Sequence, residues 1–126
     1  MNESIFFTQK DVVEVQLASS AIAAGIKVLL KHAGANLKNV EMLFIAGAFG
    51  NSLCIDNAKR IGLLPQIENS KIRFIGNASL TGSKLSLLSC AHREYAETLR
   101  QKTRYLNLSL EPEFQTEFEN AMMFPE

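Results

Sequence analysis

The chain has 126 residues, 47% apolar and 21% charged: enough apolar material for one folded core and too much for wholesale disorder. Thirteen basic side chains balance thirteen acidic ones, so no general field draws the chain to nucleic acid or to an anionic membrane surface. Uninterrupted apolar runs are only a few residues long, the opening Met1-Asn2-Glu3-Ser4 is no secretory leader, and two cysteines, Cys54 and Cys90, make no disulfide framework. The expectation is one domain over residues 1–126, in the cytoplasm, with neither nucleic acid nor membrane as partner.

Ser4–Thr8 reads as a short strand or extended entry. Thr8-Gln9-Lys10-Asp11 then has the form of a capping box, predicting a helix from Gln9 to Ala33. Val13, Leu17, Ala21, Ala24 and Val28 recur at three- and four-residue steps, with Val12, Val15, Ile22, Ile26 and Leu29 beside them, a broad apolar face suited to lying on a sheet. Lys31, His32 and Gly34 read as its end. Met42–Ala46 is a continuous apolar run, the pattern of a strand buried on both faces of a parallel sheet. Asn51–Gly62 is predicted as a short helix ended by Leu63-Leu64-Pro65, and Lys71–Ile75 as a second strand. Helices are predicted over Ser79–Ser89 and Ala91–Arg104, and a short strand over Tyr105–Ser109. Phe114, Phe118 and Met122 at four-residue steps mark an amphipathic C-terminal helix that must dock on something. Strands alternating with helices through the middle argue for α/β.

Two Gly-rich turns each follow a predicted strand and open a helix: Ala46-Gly47-Ala48-Phe49-Gly50-Asn51 and Gly76-Asn77-Ala78-Ser79-Leu80-Thr81-Gly82. They are one strand–helix–strand unit apart, so parallel neighbours would place both at the carboxyl edge where open α/β sheets bind ligands. Glycine lets backbone approach a sugar or phosphate closely, and amides at a helix start face an anion. Asn51 and Asn77 add carboxamide donors and acceptors. The same glycines also serve turns alone, and neither run matches the dinucleotide fingerprint or a P-loop.

Other chemistry is thin. Asp11 reads as a helix-start charge and Asp56 as another cap, and these are the chain's only aspartates. Phosphoryl transfer ordinarily needs acidic side chains beside Mg²⁺, and this chain offers no convincing set. The pattern assigns no catalytic residue and no metal ligand, because Cys54, Cys90, His32 and His92 lack metal spacing. Lys59-Arg60 and the series Arg93, Arg100, Arg104 read as solvated helix faces without the aromatic interleaving of a base-stacking surface.

The motif series Thr8–Asp11, Leu17-Ala18-x-x-Ala21-Ile22-x-x-Gly25-Ile26, Ile45–Asn51, Asn57-Ala58-x-Arg60-Ile61-Gly62-Leu63-Leu64-Pro65, Gly76-Asn77-Ala78-Ser79-Leu80-x-Gly82 and Phe114-Gln115-x-Glu117-Phe118 through Phe124-Pro125 resembles one family. It is the C-terminal domain of the reductive activators of corrinoid proteins, and the likeness covers roughly residues 8–125. The resemblance implies a ribonuclease-H-like, actin-like ATPase subdomain of the acetate kinase, sugar kinase, heat-shock chaperone and actin superfamily: a mainly parallel sheet with flanking helices and the C-terminal amphipathic helix. It implies ATP-driven reduction of a Co(II) corrinoid to Co(I) for methyl transfer, with a [2Fe–2S] cluster in an N-terminal domain. It further implies that Gly47, Ala48, Phe49, Gly50 and Asn51 contact the adenosine of ATP, and that Gly76, Asn77, Ala78 and Gly82 form the second turn.

The superfamily's Asp-x-Gly phosphate loops and the ferredoxin cysteines are absent. The chain therefore reads as a C-terminal fragment supplying the adenosine side of an ATP site, with no catalytic residue, no Mg²⁺ ligand and no tightly bound cofactor of its own. Implied partners are a corrinoid protein or corrinoid methyltransferase and the missing N-terminal domains, with a homodimer left open. Two rivals remain at this stage. One is an activator of a 2-hydroxyacyl-CoA dehydratase or benzoyl-CoA reductase. The other is a non-enzymatic module docking a corrinoid protein through Phe114, Phe118 and Met122.

Overall fold

The computed structural model describes residues 6–48 and 52–125. They fall into two compact units: Met1–Val40 with Cys54–Ile67 and Leu108–Glu126, and Glu41–Leu53 with Glu68–Asn107.

The first unit is built on helix α1 (Gln9–His32). Its start is the expected capping box: the Asp11 amide donates to Thr8 Oγ1 at 3.2 Å, and the Thr8 amide donates to Asp11 Oδ2 at 2.8 Å. The Thr8 hydroxyl, which donates to Asp11 Oδ2 at 2.6 Å, and after it the Thr8 amide hold the Asp11 carboxyl below its ordinary value. Ala33 caps the other end, and Gly34 follows at φ +62°. Helix α2 (Ile55–Arg60) is shorter than the predicted Asn51–Gly62. Its N-cap is Cys54, so Asp56 lies in the first turn and not at the cap. The predicted entry strand is absent over Phe6–Thr8, and Ser4 and Ile5 lie outside the described residues.

The amphipathic C-terminal segment forms α5 (Pro112–Asn120), and the partner it docks on is α1. The two run antiparallel, as their bonds show in order. Gln16 Nε2 donates to the Met122 carbonyl at 3.1 Å, and the Ser20 hydroxyl lies 2.9 Å from the Ala121 carbonyl. Further along, Lys27 pairs with Glu117 at 2.8 Å, Lys31 with Glu113, and His32 Nε2 with Glu111 at 2.8 Å. Phe114 and Phe118 stack, ring centroids 6.3 Å apart, and both are half-buried. The buried face of α1 is narrower and smaller than its apolar pattern predicts: Ser19, Ser20, Ala24, Gly25 and Val28 are buried, while Val13, Leu17, Ile22 and Leu29 are exposed. Small side chains at Ser20, Ala24 and Val28, four residues apart, let the second helix come close. Hydroxyls tolerate this burial because each finds a carbonyl, Ser19 and Ser20 both on Gln16.

By length and composition α1 is apolar enough to cross a membrane, with mean hydropathy 1.5 over its most apolar stretch, contrary to the reading from short runs. Its small, serine-containing stripe is instead bonded to α5, the environment of a protein-packed helix.

In the second unit, β1 (Leu43–Ala46) and β2 (Ile72–Gly76) pair in parallel, Leu43 against Ile72 and Ala46 against Gly76, with a register shift after Ile45. Helix α3 (Ala78–Leu88) and helix α4 (Cys90–Lys102) follow, as predicted to within two residues at each end. Two expectations fail. Strand β1 is not buried on both faces, since Phe44 is 59% exposed: within this unit the sheet has two strands, and Ile72 is its one buried large apolar residue among those described. Tyr105–Ser109 is not a strand; Leu108–Leu110 forms a single 3₁₀ turn.

Two outcomes check this account. Ala24→Leu should destabilise the first unit by about 1–3 kcal/mol in urea unfolding, because a larger side chain forces α5 away. Asp11 is held below its ordinary value, so its contribution is full above that value and is lost as pH falls through the lowered one. Asp11→Asn should therefore reduce stability at neutral pH and flatten its decline between pH 5 and 2, read by thermal melts.

Candidate functional site

The two glycine turns meet as the sequence predicts, at the carboxyl ends of two parallel, hydrogen-bonded strands. The Gly47 amide donates to the Gly76 carbonyl at 2.7 Å, tying one turn to the other. Gly47 has φ +95° and Gly76 φ +60°, the left-handed region that side chains disfavour. A Cβ at either would meet no atom within 4 Å, so both are glycine for backbone conformation and not for packing. Ala48, also exposed, continues the first turn. Phe49, Gly50 and Asn51 lie outside the described residues.

The second turn runs straight into α3. Asn77 is its N-cap: Oδ1 accepts the Leu80 amide at 3.0 Å, and its carbonyl accepts the Thr81 amide at 3.1 Å. That use of Oδ1 leaves the Asn77 Nδ2 group as its side-chain donor. The amides of Ala78 and Ser79, in the first turn, have no intrahelical acceptor by helix geometry. Ala78 and Gly82 stand four residues apart on one face of α3, and a Cβ at Gly82 meets nothing within 4 Å. Two left-handed glycines, a capping asparagine, two amides without intrahelical acceptors and a bare helix face make an edge suited to a polar, anionic or sugar-bearing ligand. Its described residues offer backbone donors, a carboxamide and the hydroxyls of Ser79 and Thr81, groups that can bind and orient a polar ligand.

The sequence reading missed a cleft of about 290 Å³ in the first unit, lined by Ala23, Ile26, Leu37, Leu64, Pro65 and Met123. The signal was Gly62, at φ +75°, where a Cβ would sit 3.3 Å from the Pro125 ring. The Gly62-Leu63-Leu64-Pro65 run thus turns beneath the chain's last residues. Phe114, Phe118 and Met122, offered as a docking face, are half-buried in the unit that α5 forms with α1. Among the described residues no three His, Cys, Asp or Glu side chains gather as a metal site.

Comparison with known proteins agrees with the motif series. The family model described as the C-terminal domain of RACo, the ASKHA domain, matches residues 1–126. The chain is 39% identical over 122 residues to the corrinoid activation enzyme RamQ of Eubacterium limosum, covering 97% of this chain and 21% of RamQ. It is 31% identical over 80 residues to the [Co(II) methylated amine-specific corrinoid protein] reductase of Methanosarcina barkeri, covering 64% of this chain and 15% of the reductase. A solved structure, titled a reductive activator for corrinoid, iron–sulfur protein, superposes with TM-score 0.85 at 35% identity over 95% of this chain and 19% of its own. The chain thus spans about a fifth of the first relative's length.

If conformation and not packing is why Gly76 is glycine, Gly76→Val should cost about 1–2 kcal/mol or more of stability and Gly76→Asn distinctly less, because asparagine tolerates the left-handed region. Equal losses in denaturant titrations would mean that side-chain volume matters instead.

Proposed function

This chain belongs to the family of RACo C-terminal ASKHA domains, and from that membership we propose that it is the nucleotide-handling end of an ATP-dependent reductive activator of a corrinoid protein. In the whole protein, ATP drives reduction of a Co(II) corrinoid to Co(I), and the electron comes from a [2Fe–2S] cluster in an N-terminal part outside this chain. The observation that carries the assignment of the site is the pair of left-handed glycines, Gly47 and Gly76, bonded together at the ends of two parallel strands.

The edge fits the adenosine side of ATP. Main chain at Gly47 and Ala48 would lie along the sugar or base, and the resemblance adds Phe49, Gly50 and Asn51 as contacts. Asn77 Nδ2 and the first amides of α3, at Ala78, would face polar ligand atoms, and Gly82 keeps the helix face bare. Mg²⁺ and the phosphate-handling acids belong elsewhere in the protein, since this chain has no Asp-x-Gly loop. The dehydratase-activator reading has less support, because the matched relatives bear corrinoid names.

The test is reduction of a purified Co(II) corrinoid protein by the full-length protein, with Co(I) followed by absorbance. The rate should depend on ATP, and Gly47→Val should raise the ATP concentration needed by about tenfold, a loss of roughly 1.4 kcal/mol of binding. An unchanged ATP requirement would contradict the assignment. The 126-residue chain alone should release no phosphate from ATP above background, and steady turnover would place catalytic groups in this domain after all.

A further inference from the structure

The chain's zero net charge conceals a division. The second unit holds seven Lys and Arg against four Glu, and the first holds six against nine acidic residues. The excess of the second unit sits on α3, α4 and the residues just after them: Lys84, Arg93, Arg100, Lys102 and Arg104 against Glu94 and Glu97. Two of these cations are engaged. Arg100 forks onto Glu97 through Nε and Nη2, and Arg93 Nε donates to the Ser86 carbonyl at 3.2 Å. Among the described residues, Lys84, Lys102 and Arg104 have no carboxylate within ion-pair distance.

The same two helices expose their apolar residues in register with those lysines. On α3, Leu80, Lys84, Leu87 and Leu88 fall at helical spacing, with Leu87 77% and Leu88 83% exposed. On α4, Tyr95, Leu99 and Lys102 form a second stripe, all exposed. Neither helix has a buried residue, though they pack against each other. Scattered exposed leucines are ordinary, but two apolar stripes on adjoining helices, each punctuated by an unpaired lysine, have the make-up of an interface with apolar centre and charged rim.

We propose that the α3–α4 hairpin is the docking surface for a protein whose matching face has carboxylates around an apolar centre, and that this protein is the corrinoid protein of the functional reading above, on which the partner's identity rests. The charge decides the partner's sign, since unpaired ammonium groups at the rim attract an acidic face and repel a basic one. The leucines decide against nucleic acid, because phosphate contacts make no use of aliphatic side chains set between the cations.

The experiment measures binding of the full-length protein to the purified Co(II) corrinoid protein by calorimetry at low and high salt, with Co(I) formation followed in parallel. The double variant Leu87→Ser/Leu88→Ser should weaken binding about tenfold or more with Tm unchanged. Lys84→Glu/Lys102→Glu should weaken it similarly and flatten its salt dependence. Unaltered affinity in both variants, while wild type still reduces the corrinoid protein, overturns the docking surface and leaves the functional reading standing. A fall of several degrees in Tm on replacing the leucines also overturns it, since they would then be covered within their own chain. So would binding to a DNA duplex or to phosphatidylserine vesicles that both variants abolish. Wild-type protein that neither binds nor reduces the corrinoid protein overturns both proposals.

Discussion

The first unit is closed by the packing of α1 against α5. Gln16 and Ser20 reach the carbonyls of Met122 and Ala121, across more than a hundred residues of intervening sequence. Such a contact has a large loop-closure cost, and the buried stripe of Ser20, Ala24 and Val28 is where that cost is offset. Exposed ion pairs such as Lys27–Glu117 add little each in water, about 0–1 kcal/mol. They fix which way α5 runs, because the carboxylates of Glu111, Glu113 and Glu117 fall opposite His32, Lys31 and Lys27 in reversed order.

In the second unit the corresponding constraint is smaller and more local. Two short parallel strands end together, and the bond from the Gly47 amide to the Gly76 carbonyl makes their exits one edge. Main chain there turns through the left-handed region twice within a few ångströms, and among the described residues no atom lies within 4 Å of where a Cβ would stand at either glycine. The candidate edge is therefore a consequence of strand parallelism plus two residues that lack a Cβ. It has little chemistry of its own. That is in keeping with the proposal that this domain handles one part of a nucleotide while other parts of a longer protein, about five times this length in RamQ, supply the rest.

Much of this was legible in the sequence because it is local. The capping box at Thr8 and Asp11, the helices over 78–88 and 90–102, and the glycine turns depend on residues within a few positions of one another. What failed depends on distant partners. Apolar periodicity in α1 included Ala24 and Val28, which are buried, but also Leu17 and Ile22, which are not; it passed over Ser19 and Ser20, buried with their hydroxyls on carbonyls, and Gly25, buried against Leu108. The run Met42–Ala46 has the composition of a fully buried strand, but Phe44 has no layer over it within its unit. Phe114, Phe118 and Met122 were legible as a stripe that must dock, but not that it docks on α1, so the rival of a face for a corrinoid protein stayed open in the sequence. The exposed stripes of α3 and α4, by contrast, were hidden by composition, since α4 reads as a charged, solvated helix.

The central claim is that the paired glycine edge holds the adenosine part of ATP. The most direct measurement is an amide NMR titration of the isotope-labelled chain with Mg-ATP, with AMP in parallel. The account predicts shifts clustered at Gly47, Ala48 and Gly76 to Gly82, saturating in the millimolar range and similar for both nucleotides, since both carry adenosine. Shifts confined to the Ala23, Ile26 and Gly62 cleft, or shifts with ATP but none with AMP, would contradict it.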